Sequence, residues 1–228
     1  MLDAPRLPTA DCRLPTAPRT TREPAGAPGN PAKVQKIRTF PREPDEHYVE
    51  ERRVSRELFA RLALGPVVVD PCAGFGNIVL EARAAGLRAY GSDLVKRAPA
   101  IAGGCDFLSE KWRPPTRVRG DFDIVCNPPF GHRSDLLREF CEAACSRAAT
   151  ALLLAPVRRL RCAGPWLQAL PLAAVIHPSL RPSMWPGRIY AAKLAAGERL
   201  GTGFDEVCWL RFERGREGAP VVSWLREG

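Results

Sequence analysis

The sequence predicts an α/β fold built on a doubly wound, mostly parallel sheet. Short runs of β-branched and aliphatic residues at 66–70, 122–126 and 151–155 alternate with stretches of helical periodicity. Uninterrupted apolar runs are typical of strands buried on both faces, and strands that alternate with helices at this spacing form parallel sheets. At 228 residues the chain is long enough for one such domain and an appendage.

The first 44 residues are predicted to be a disordered tail. They contain nine prolines, interspersed arginines and few large apolar residues. A segment of this composition cannot bury enough apolar surface to offset the entropy lost on ordering. We therefore assign the folded domain to residues 45–228.

A first helix is predicted from Tyr48, because Val49, Val54 and Leu58 recur at helical spacing with charged residues at 50–53 on the other side. Apolar runs, periodicity and turn residues indicate the elements that follow. In order, they are a strand at 66–70, a helix at about 77–85, a strand at 87–91, a short helix to about 102, a brief strand before 106, a strand at 122–126, a helix at about 134–148 and a strand at 151–155.

Two late apolar runs, near 205–213 and 221–225, predict the end of the sheet. Gly215 and Gly218 between them favour a turn. We expect these strands to form an antiparallel hairpin, which places an antiparallel C-terminal strand on an otherwise parallel sheet.

Composition narrows the class of protein. The formal charge of +9 and sequence pI near 9.5 favour a polyanionic partner, because basic residues that neutralise phosphates release counterions. The eight cysteines are scattered and form no paired CxxC set, which predicts buried free thiols and no metal site. No apolar run approaches the roughly 18 residues of a membrane helix, and no signal-peptide core is evident. We expect a soluble, cytoplasmic protein, either a monomer or a weak dimer.

A glycine-rich turn follows the first buried strand, the place at which open α/β sheets bind ligands. It reads Asp-Pro-Cys-Ala-Gly-Phe-Gly-Asn over 70–77. Gly74 and Gly76 allow the backbone to approach a ligand closely. A dinucleotide fingerprint requires a third glycine where Val79 stands, and the carboxylate of Asp70 suits a ligand that carries an ammonium group, as S-adenosylmethionine does.

Two further acidic residues follow predicted strands. Asp93 lies at the separation from the glycine turn at which an acidic residue accepts hydrogen bonds from ribose hydroxyls. Asp106 is placed to accept from an adenine amine, and Phe107 to cover the ring. The alternative is that both aspartates cap helices and that Phe107 belongs to the core.

The most informative stretch is Asn127-Pro128-Pro129-Phe130, directly after an apolar strand. The prolines have fixed φ and no N–H, so the carbonyls here are held rigid and free of local donors. Asn127 adds a side-chain carbonyl that accepts from an NH2 group, and Phe130 offers a flat face for a conjugated ring. This pattern predicts a site that methylates an exocyclic or amide nitrogen.

In this order, the motifs closely resemble the S-adenosylmethionine-dependent N6-adenine DNA methyltransferases, particularly the compact phage and prophage type. The resemblance spans about residues 48–212 and implies a Rossmann-like methyltransferase fold with S-adenosylmethionine as cofactor. It implies that Asn127, Pro128, Pro129 and Phe130 hold the target base. It also implies cofactor contacts from Asp70, Cys72, Gly74, Gly76, Asp93, Leu94, Asp106, Phe107 and Asn127.

Later stretches extend the resemblance, and one stretch departs from it. The loop at 181–187 and the Trp-containing run at 206–210 are similar to stretches of the compact subgroup. The family often has Tyr-x-Thr-Pro before the first helix, whereas Tyr48 is followed by neither Thr nor Pro, so the resemblance implies no cofactor contact there. No insert for a target-recognition domain follows Phe130, so we expect sequence selectivity to be weak or supplied by loops.

The residue types predict methyl transfer without a dedicated general base. Asn127 Oδ1 and the Pro128 carbonyl are expected to accept both amine protons and to localise the nitrogen lone pair for in-line displacement. A duplex base must first be flipped out, and stacking on Phe130 is worth on the order of 1–3 kcal/mol. His132 is left out of catalysis.

DNA is the expected partner. Arg158 and Arg159 follow the strand at 151–155, and Arg181 and Trp185 lie in a later loop that we expect to be exposed. We interpret the arginines as phosphate contacts and Trp185 as a residue that wedges or stacks on bases. The alternatives are a solvated charged face and a local hydrophobic plug.

Two other functions remain open. The second candidate function is the same chemistry on RNA bases or on a protein glutamine amide, because enzymes with those substrates also use Asn-Pro-Pro-aromatic turns. The arginines favour nucleic acid, and Phe130 in place of Tyr weighs mildly against the glutamine enzymes. The third is a non-catalytic nucleic-acid-binding module on a methyltransferase scaffold, against which the intact acidic and Asn-Pro-Pro-Phe residues argue.

Overall fold

The computed structural model describes residues 46–130, 135–161, 163–201 and 206–225. The predicted tail at 1–44 and His132 lie outside these residues. By its internal contacts the chain divides into Met1–Phe40 and Pro41–Gly228, and every element below belongs to the second unit.

The elements of this unit alternate between strand and helix along most of the chain. The strands are β1 (Tyr48–Glu50), β2 (Val67–Asp70), β3 (Arg88–Gly91), β4 (Asp123–Cys126), β5 (Thr150–Pro156), β6 (Leu172–His177), β7 (Met184–Pro186), β8 (Val207–Glu213) and β9 (Val221–Trp224). The helices are α1 (Arg52–Arg61), α2 (Asn77–Ala84), α3 (Leu136–Arg147), α4 (Val157–Leu160), α5 (Gly164–Gln168) and α6 (Gly187–Ala195). Within the described ranges, none of these helices combines the length and the apolar character needed to cross a membrane.

Seven strands form one sheet in the order β3-β2-β4-β5-β8-β6-β9, and β1 pairs with β7 in a separate two-stranded ribbon. β2 runs parallel to β3 and to β4, and β4 runs parallel to β5. β8 is antiparallel to both of its neighbours, β5 and β6. The prediction of a doubly wound, Rossmann-like sheet that is mostly parallel, with an antiparallel strand near the C-terminus, is confirmed.

The predicted hairpin between the last two strands is wrong. β9 pairs in parallel with β6, with Val222 beside Val175, and it does not pair with β8. β8 already has a partner along each edge, so the last strand pairs with the free backbone groups on the outer edge of β6 instead. The turn at 214–220 therefore leads across the sheet, although its glycines resemble those of a hairpin.

The predicted first helix begins later than expected. Its first three residues, Tyr48–Glu50, form β1 and pair with Met184–Pro186 in antiparallel register. Glu51 is extended, with ψ 131°, and α1 starts at Arg52. The apolar pattern correctly indicated that Val49 is buried, but Val49 is buried as a residue of a strand and not of a helix.

The short helix to about 102 and the brief strand before 106 are also wrong. In their place is a loop that returns to the end of β3 through one isolated parallel bridge between Ser92 and Ala102. The Asp93 N–H donates to the Ala102 carbonyl at 2.8 Å and the Ala102 N–H donates to the Gly91 carbonyl at 3.2 Å. These bonds hold the loop against the sheet without a regular element.

Apolar helices cover both faces of the sheet. Val68 of β2 packs in one cluster with Leu58 of α1 and Ile78 of α2. Its neighbour Val69 packs in the opposite cluster with Phe140 of α3. Successive residues of a strand point to opposite faces, so a continuous apolar run fills both layers and leaves the strand ends to carry polar groups.

Candidate active site

A cavity opens at the carboxyl ends of β2, β3 and β4, beside β1. This is the edge at which open parallel sheets bind ligands. The glycine turn after β2, the loop after β3 and the turn after β4 supply much of its wall. Of the residues predicted for the site, the lining includes Cys72, Gly74, Asp93, Leu94, Asp106, Phe107, Asn127 and Pro129, whereas Asp70, Gly76, Pro128 and Phe130 lie outside it.

The glycine turn has a backbone that other residues avoid. Gly74 has φ +49° and Gly76 has φ +86°, both in the left-handed region. A Cβ on Gly74 would also lie 2.9 Å from Nε2 of His47. Gly76 is the N-cap of α2, so the helix begins at the cavity wall. The first N–H groups of a helix have no partner within the helix itself.

Asp93 ties the glycine turn to the end of β3. Its Oδ2 accepts from the Gly74 N–H at 2.8 Å, and its Oδ1 accepts from the Val95 N–H at 3.0 Å and from Arg97 Nη1 at 2.9 Å. The carboxylate therefore bonds the backbone of two loops, although it caps none of the described helices, contrary to the alternative interpretation. Each carboxylate oxygen has two lone-pair sites, so Oδ2 keeps capacity for one more donor from the cavity. The contact with ribose hydroxyls stays a prediction.

Asp106 and Phe107 differ in their exposure. Asp106 is exposed, and its Oδ1 accepts from the backbone N–H two residues further on. Phe107 is buried, with ring centroids 5.0 Å from Trp112 and 5.5 Å from Phe140, and the Arg147 guanidinium lies 4.8 Å from its centroid. Phe107 is thus a core residue as well as part of the cavity wall. Its predicted contact with a cofactor ring is not tested by this packing.

The Asn127 amide has a defined orientation. Its Nδ2 donates to the Tyr48 carbonyl at 2.9 Å and to Glu50 Oε2 at 2.9 Å. Its Oδ1 is buried and has no hydrogen-bond partner among the described residues. A buried acceptor without a partner costs about 1–3 kcal/mol, so such groups in folded proteins need a functional or structural reason. Asn127 lines the cavity as a residue, and its amide oxygen receives no donor from the described part of the chain.

Glu50 is a site residue that the sequence analysis missed. It lines the cavity, is 7% exposed, and takes part in no ion pair among the described residues. Burial raises the pKa of Glu50 to about 7, although hydrogen bonds from its own backbone N–H and from Asn127 act in the other direction. Hydrophobic periodicity had placed Glu50 on the solvent side of a helix. Only the pairing of β1 with β7 turns it inward.

Asp70 adds a second buried carboxyl beneath the same wall. It is 1% exposed, and its Oδ1 accepts from the Cys72 N–H at 3.0 Å. Burial and then the nearby charge of Glu50 raise the pKa of Asp70 well above its usual range, and Asp93 contributes in the same direction. Desolvated carboxyls that repel each other are relieved by a bound cation. The donor set therefore fits a positively charged ligand.

The arginines predicted to contact nucleic acid have partners within the protein. Arg158 and Arg159 lie on α4, directly after β5 and at the same sheet edge as the turn after β4. Arg159 Nη2 donates to the Phe130 carbonyl at 3.0 Å and so holds that turn. Arg181 forms an ion pair with Glu206 at 2.9 Å between two well-exposed side chains. Their contact with phosphates stays a prediction.

Trp185 is not in an exposed loop, and that expectation is wrong. It lies on β7, half-buried, opposite Val49 of β1. Its Nε1 donates to the Leu200 carbonyl at 2.6 Å, and Lys193 Nζ lies 5.2 Å from its ring centroid. Strand pairing buries part of the ring, which a Pro- and Gly-rich sequence does not indicate.

His47 also contributes to the cavity without a signal in the sequence. Its ring packs edge-on against Phe75 with centroids 4.9 Å apart, and it lies against Gly74 and Gly187. A Cβ on Gly187 would collide with the imidazole. The two glycines that make room for His47 are 113 positions apart in the chain, so only the tertiary structure reveals this contact.

The fold and the site define a Rossmann-like α/β protein with a carboxylate-lined cavity at the carboxyl edge of its sheet. No protein-family model matches the sequence, and no curated protein matches it. Several solved structures are similar in fold at low sequence identity. The three described next each have a TM-score below 0.5.

The M protein of the type I restriction enzyme EcoKI is 15% identical, with a TM-score of 0.49, over 80% of this chain and 49% of that chain. The 23S rRNA methyltransferase ErmE is 16% identical, with a TM-score of 0.45, over 80% and 73% of the two chains. A modification subunit assigned to a type I restriction enzyme of Vibrio vulnificus YJ016 is 15% identical, with a TM-score of 0.43, over 77% and 45%. This chain thus spans about half the length of two of the three.

Proposed function

We propose that this protein transfers a methyl group from S-adenosylmethionine to the exocyclic N6 amine of adenine in DNA. The observation that carries the proposal is the Asn127 amide, whose Nδ2 is held by Tyr48 and Glu50 while Oδ1 is buried without a partner in the described structure. An acceptor kept open in a rigid turn suits a ligand that donates hydrogen bonds. An aromatic NH2 group is such a ligand.

The cavity residues fit S-adenosylmethionine. The cofactor carries a sulfonium and an ammonium group when bound, and it supplies a methyl group already activated for transfer. Glu50 and Asp70 are buried carboxyls that form no ion pair within the described part of the chain, which favours positive charge beside them. Gly74 presents its backbone to the cavity, and Asp93 and Asp106 would accept from ribose hydroxyls and from the adenine amine.

The turn after β4 would orient the target amine. Asn127 Oδ1 would accept one amine N–H, and the carbonyl of Pro128, which follows Asn127 but does not itself line the cavity, would accept the other. Both bonds would localise the nitrogen lone pair toward the methyl group. A bond then forms between that nitrogen and the methyl carbon as the bond from carbon to sulfur breaks, and the nitrogen loses a proton to water. Positioning and fixed dipoles supply most of the rate in this scheme.

Charge and position support a nucleic-acid substrate. The chain carries a formal charge of +9, and α4 brings Arg158 and Arg159 to the edge of the sheet where the Asn-Pro-Pro-Phe turn lies. Phe130 is half-buried in that turn and would stack on a base that has been flipped out of its duplex. A groove with basic residues near an aromatic ring is typical of proteins that bind exposed bases.

Nucleoside mass spectrometry tests the proposal. Purified protein is incubated with methyl-labelled S-adenosylmethionine and with unmethylated DNA or, in parallel, RNA. We expect labelled N6-methyladenine in DNA, loss of at least 100-fold in Asn127→Ala with cofactor affinity retained, and no loss in the exposed control Glu142→Gln on α3. Label in RNA alone would mean that the substrate is RNA and not DNA. No label in either nucleic acid would contradict the proposal.

A further inference from the structure

Glu50 and Tyr48 together decide which way the Asn127 amide faces. Both acceptors of Asn127 Nδ2 lie on β1, the Tyr48 backbone carbonyl and the Glu50 carboxylate, each at 2.9 Å. Rotating the amide by half a turn would place Oδ1 against two acceptors with no hydrogen between them. The arrangement therefore holds Oδ1 on the side of the amide away from both β1 acceptors, in a residue that lines the cavity.

β1 itself is held rigidly, so the Glu50 carboxylate has a fixed position. Glu50 pairs with Met184 of β7, and its backbone carbonyl accepts from Asn77 Nδ2 at 3.0 Å. The same Asn77 Nδ2 donates to Tyr190 Oη on α6 at 3.1 Å. The strand is thus anchored by β7, α2 and α6 together.

An ionised carboxylate does more than orient the amide. A hydrogen bond from Nδ2–H to an anion is shorter and stronger than one to a neutral acceptor. It draws the amide toward the form with more negative charge on oxygen, because hydrogen bonds in a chain polarise one another in a low-dielectric interior. Oδ1 becomes a better acceptor when Glu50 is charged than when it is neutral.

We propose that Glu50 is a positioning residue for methyl transfer, and that its ionised carboxylate orients and polarises the Asn127 amide for the incoming amine. The inference rests on the proposed function and deepens it, since it makes the same site sensitive to pH. When Glu50 is protonated, the charge that polarises the amide is lost and Oδ1 is a weaker acceptor. Transfer is then slower, although the cofactor cavity is intact.

Burial places this protonation near neutral pH. The pKa of Glu50 is raised to about 7, so close to half of the molecules lack the charge at pH 7. Other titratable or charged groups border the same space from each neighbouring element. They are Asp70 and Cys72 at the end of β2, Asp93, Arg97, Cys105 and Asp106 after β3, Glu46, His47 and Tyr48 beside Glu50, and Tyr190 of α6 behind Asn77.

Single-turnover kinetics of the full chain with saturating S-adenosylmethionine and adenine-containing DNA tests the inference between pH 5.5 and 8.5. We expect the wild-type rate to rise by up to about tenfold per pH unit and then to level off, with a midpoint below pH 7, because the bound cationic cofactor favours the ionised carboxylate of Glu50. Glu50→Gln should be about 100-fold slower at pH 8, with no rise across this range. Glu51→Gln, the same change one residue away on a side chain paired with Arg53, should follow the wild type.

Two kinetic results would overturn the proposal. A Glu50→Gln rate that still rises like the wild type would assign the titration to a neighbour such as Asp70. A loss confined to cofactor Kd, with an unchanged rate at saturation, would make Glu50 a binding residue.

A measurement without turnover separates this inference from the proposed function. The side-chain NH2 signals of Asn127 in a 15N-labelled protein, identified by their loss in Asn127→Ser, should shift with a midpoint near pH 7. The shift should vanish in Glu50→Gln and persist in Glu51→Gln. If it is present while no nucleic acid is methylated, the proposed function fails and the coupling stands. If methylation occurs and no shift is seen, the Glu50 inference fails.

Discussion

Strand β4 begins at Asp123 and ends beside Asn127. The buried polar groups at its two ends differ in whether the protein supplies their hydrogen-bond partners. At the amino end, the Asp123 carboxylate is 4% exposed and accepts from the Gly65 N–H at 2.6 Å and from the Thr150 N–H at 3.1 Å. At the carboxyl end, Asn127 Oδ1 is buried with no partner among the described residues. The amino edge of the sheet is satisfied by the protein, and the carboxyl edge leaves capacity for a ligand.

Glu81 and Glu50 repeat the contrast with one residue type. Glu81 on α2 is 3% exposed and accepts from Arg52 at 2.6 Å and from Arg56 at 3.0 Å. Burial acts to raise its pKa, but the hydrogen bonds and charges of the two arginines outweigh burial and lower the pKa. Glu50 pairs with no arginine among the described residues, and burial raises its pKa. Two glutamates with little exposed surface therefore have pKa shifts of opposite sign, because arginines offset burial at Glu81 and not at Glu50.

The largest expected loss of stability is at the amino end of β4, where Asp123 accepts two backbone hydrogen bonds. Asp123→Ala leaves two backbone N–H groups unpaired, and hydrogen bonds to a charged acceptor are worth about 1.5–3 kcal/mol each, so we expect a loss of about 4 kcal/mol in the free energy of unfolding. Urea denaturation at pH 7 measures it. Asp121→Ala, two positions earlier on an exposed side chain, should cost less than about 0.5 kcal/mol. Equal losses in both variants would contradict the comparison.

Removing the uncompensated charge should stabilise the fold. The raised pKa means that folded Glu50 keeps its proton between about pH 4.5 and 7 while the unfolded chain releases it, so stability falls across that window and stays low above it. Glu50→Gln should be about 3 kcal/mol more stable than wild type at pH 8.5 and equal to it below pH 4. Urea denaturation at several pH values measures this difference. A difference of the same size at pH 4 would exclude the charge as its cause.

The affinity for S-adenosylmethionine should depend on pH, because the cavity carboxyls have raised pKa values. A cationic cofactor favours the ionised form of the cavity carboxyls, so binding releases protons below pH 7. The Kd for S-adenosylmethionine should then fall from pH 5.5 to 7, by at most about tenfold per pH unit for each proton released. Above the raised pKa of Glu50 the Kd should level off. Calorimetry in buffers of different ionisation enthalpy measures the protons released. Proton uptake, or a flat Kd over this range, would argue against a cation beside these carboxyls.

The smallest expected effect is at Glu81. Its lowered pKa contributes stability above the unfolded pKa, and this contribution is lost as pH falls through the folded pKa. Both arginines are partly exposed, so solvent screening limits the gain, and Glu81→Gln should cost about 1 kcal/mol at pH 7 and nearly nothing at pH 3. Thermal or urea unfolding at the two pH values measures the loss. A cost that grows toward acid pH would reverse the assigned sign.

Predictions from the sequence succeeded where one short segment carries the whole signal. The apolar runs of β2, β4 and β5 are each buried along the sheet, so composition alone indicates them. The same holds for the glycine turn, because the left-handed φ of Gly74 and Gly76 excludes most other residues. Topology then brought these strand ends to one edge, as the alternation of strand and helix predicts.

Predictions failed where the partner of a segment is remote in sequence. β1 looks like the start of a helix until it pairs with β7, more than 130 residues later. β9 looks like half of a hairpin until β6 occupies the other edge of β8. In both cases local periodicity reports which residues are buried, but not which backbone groups they meet.

The sequence by itself determined the class of fold, the position of the cavity edge and the Asn-Pro-Pro-Phe turn, because apolar period, glycine conformation and proline rigidity are local properties. Only the tertiary structure decided that Glu50 faces Asn127 across 77 positions of chain, and that Glu81 meets two arginines while Glu50 meets none. Burial and charge pairing depend on every element that packs around a group. A buried carboxyl therefore has a lowered pKa in one place and a raised pKa in another.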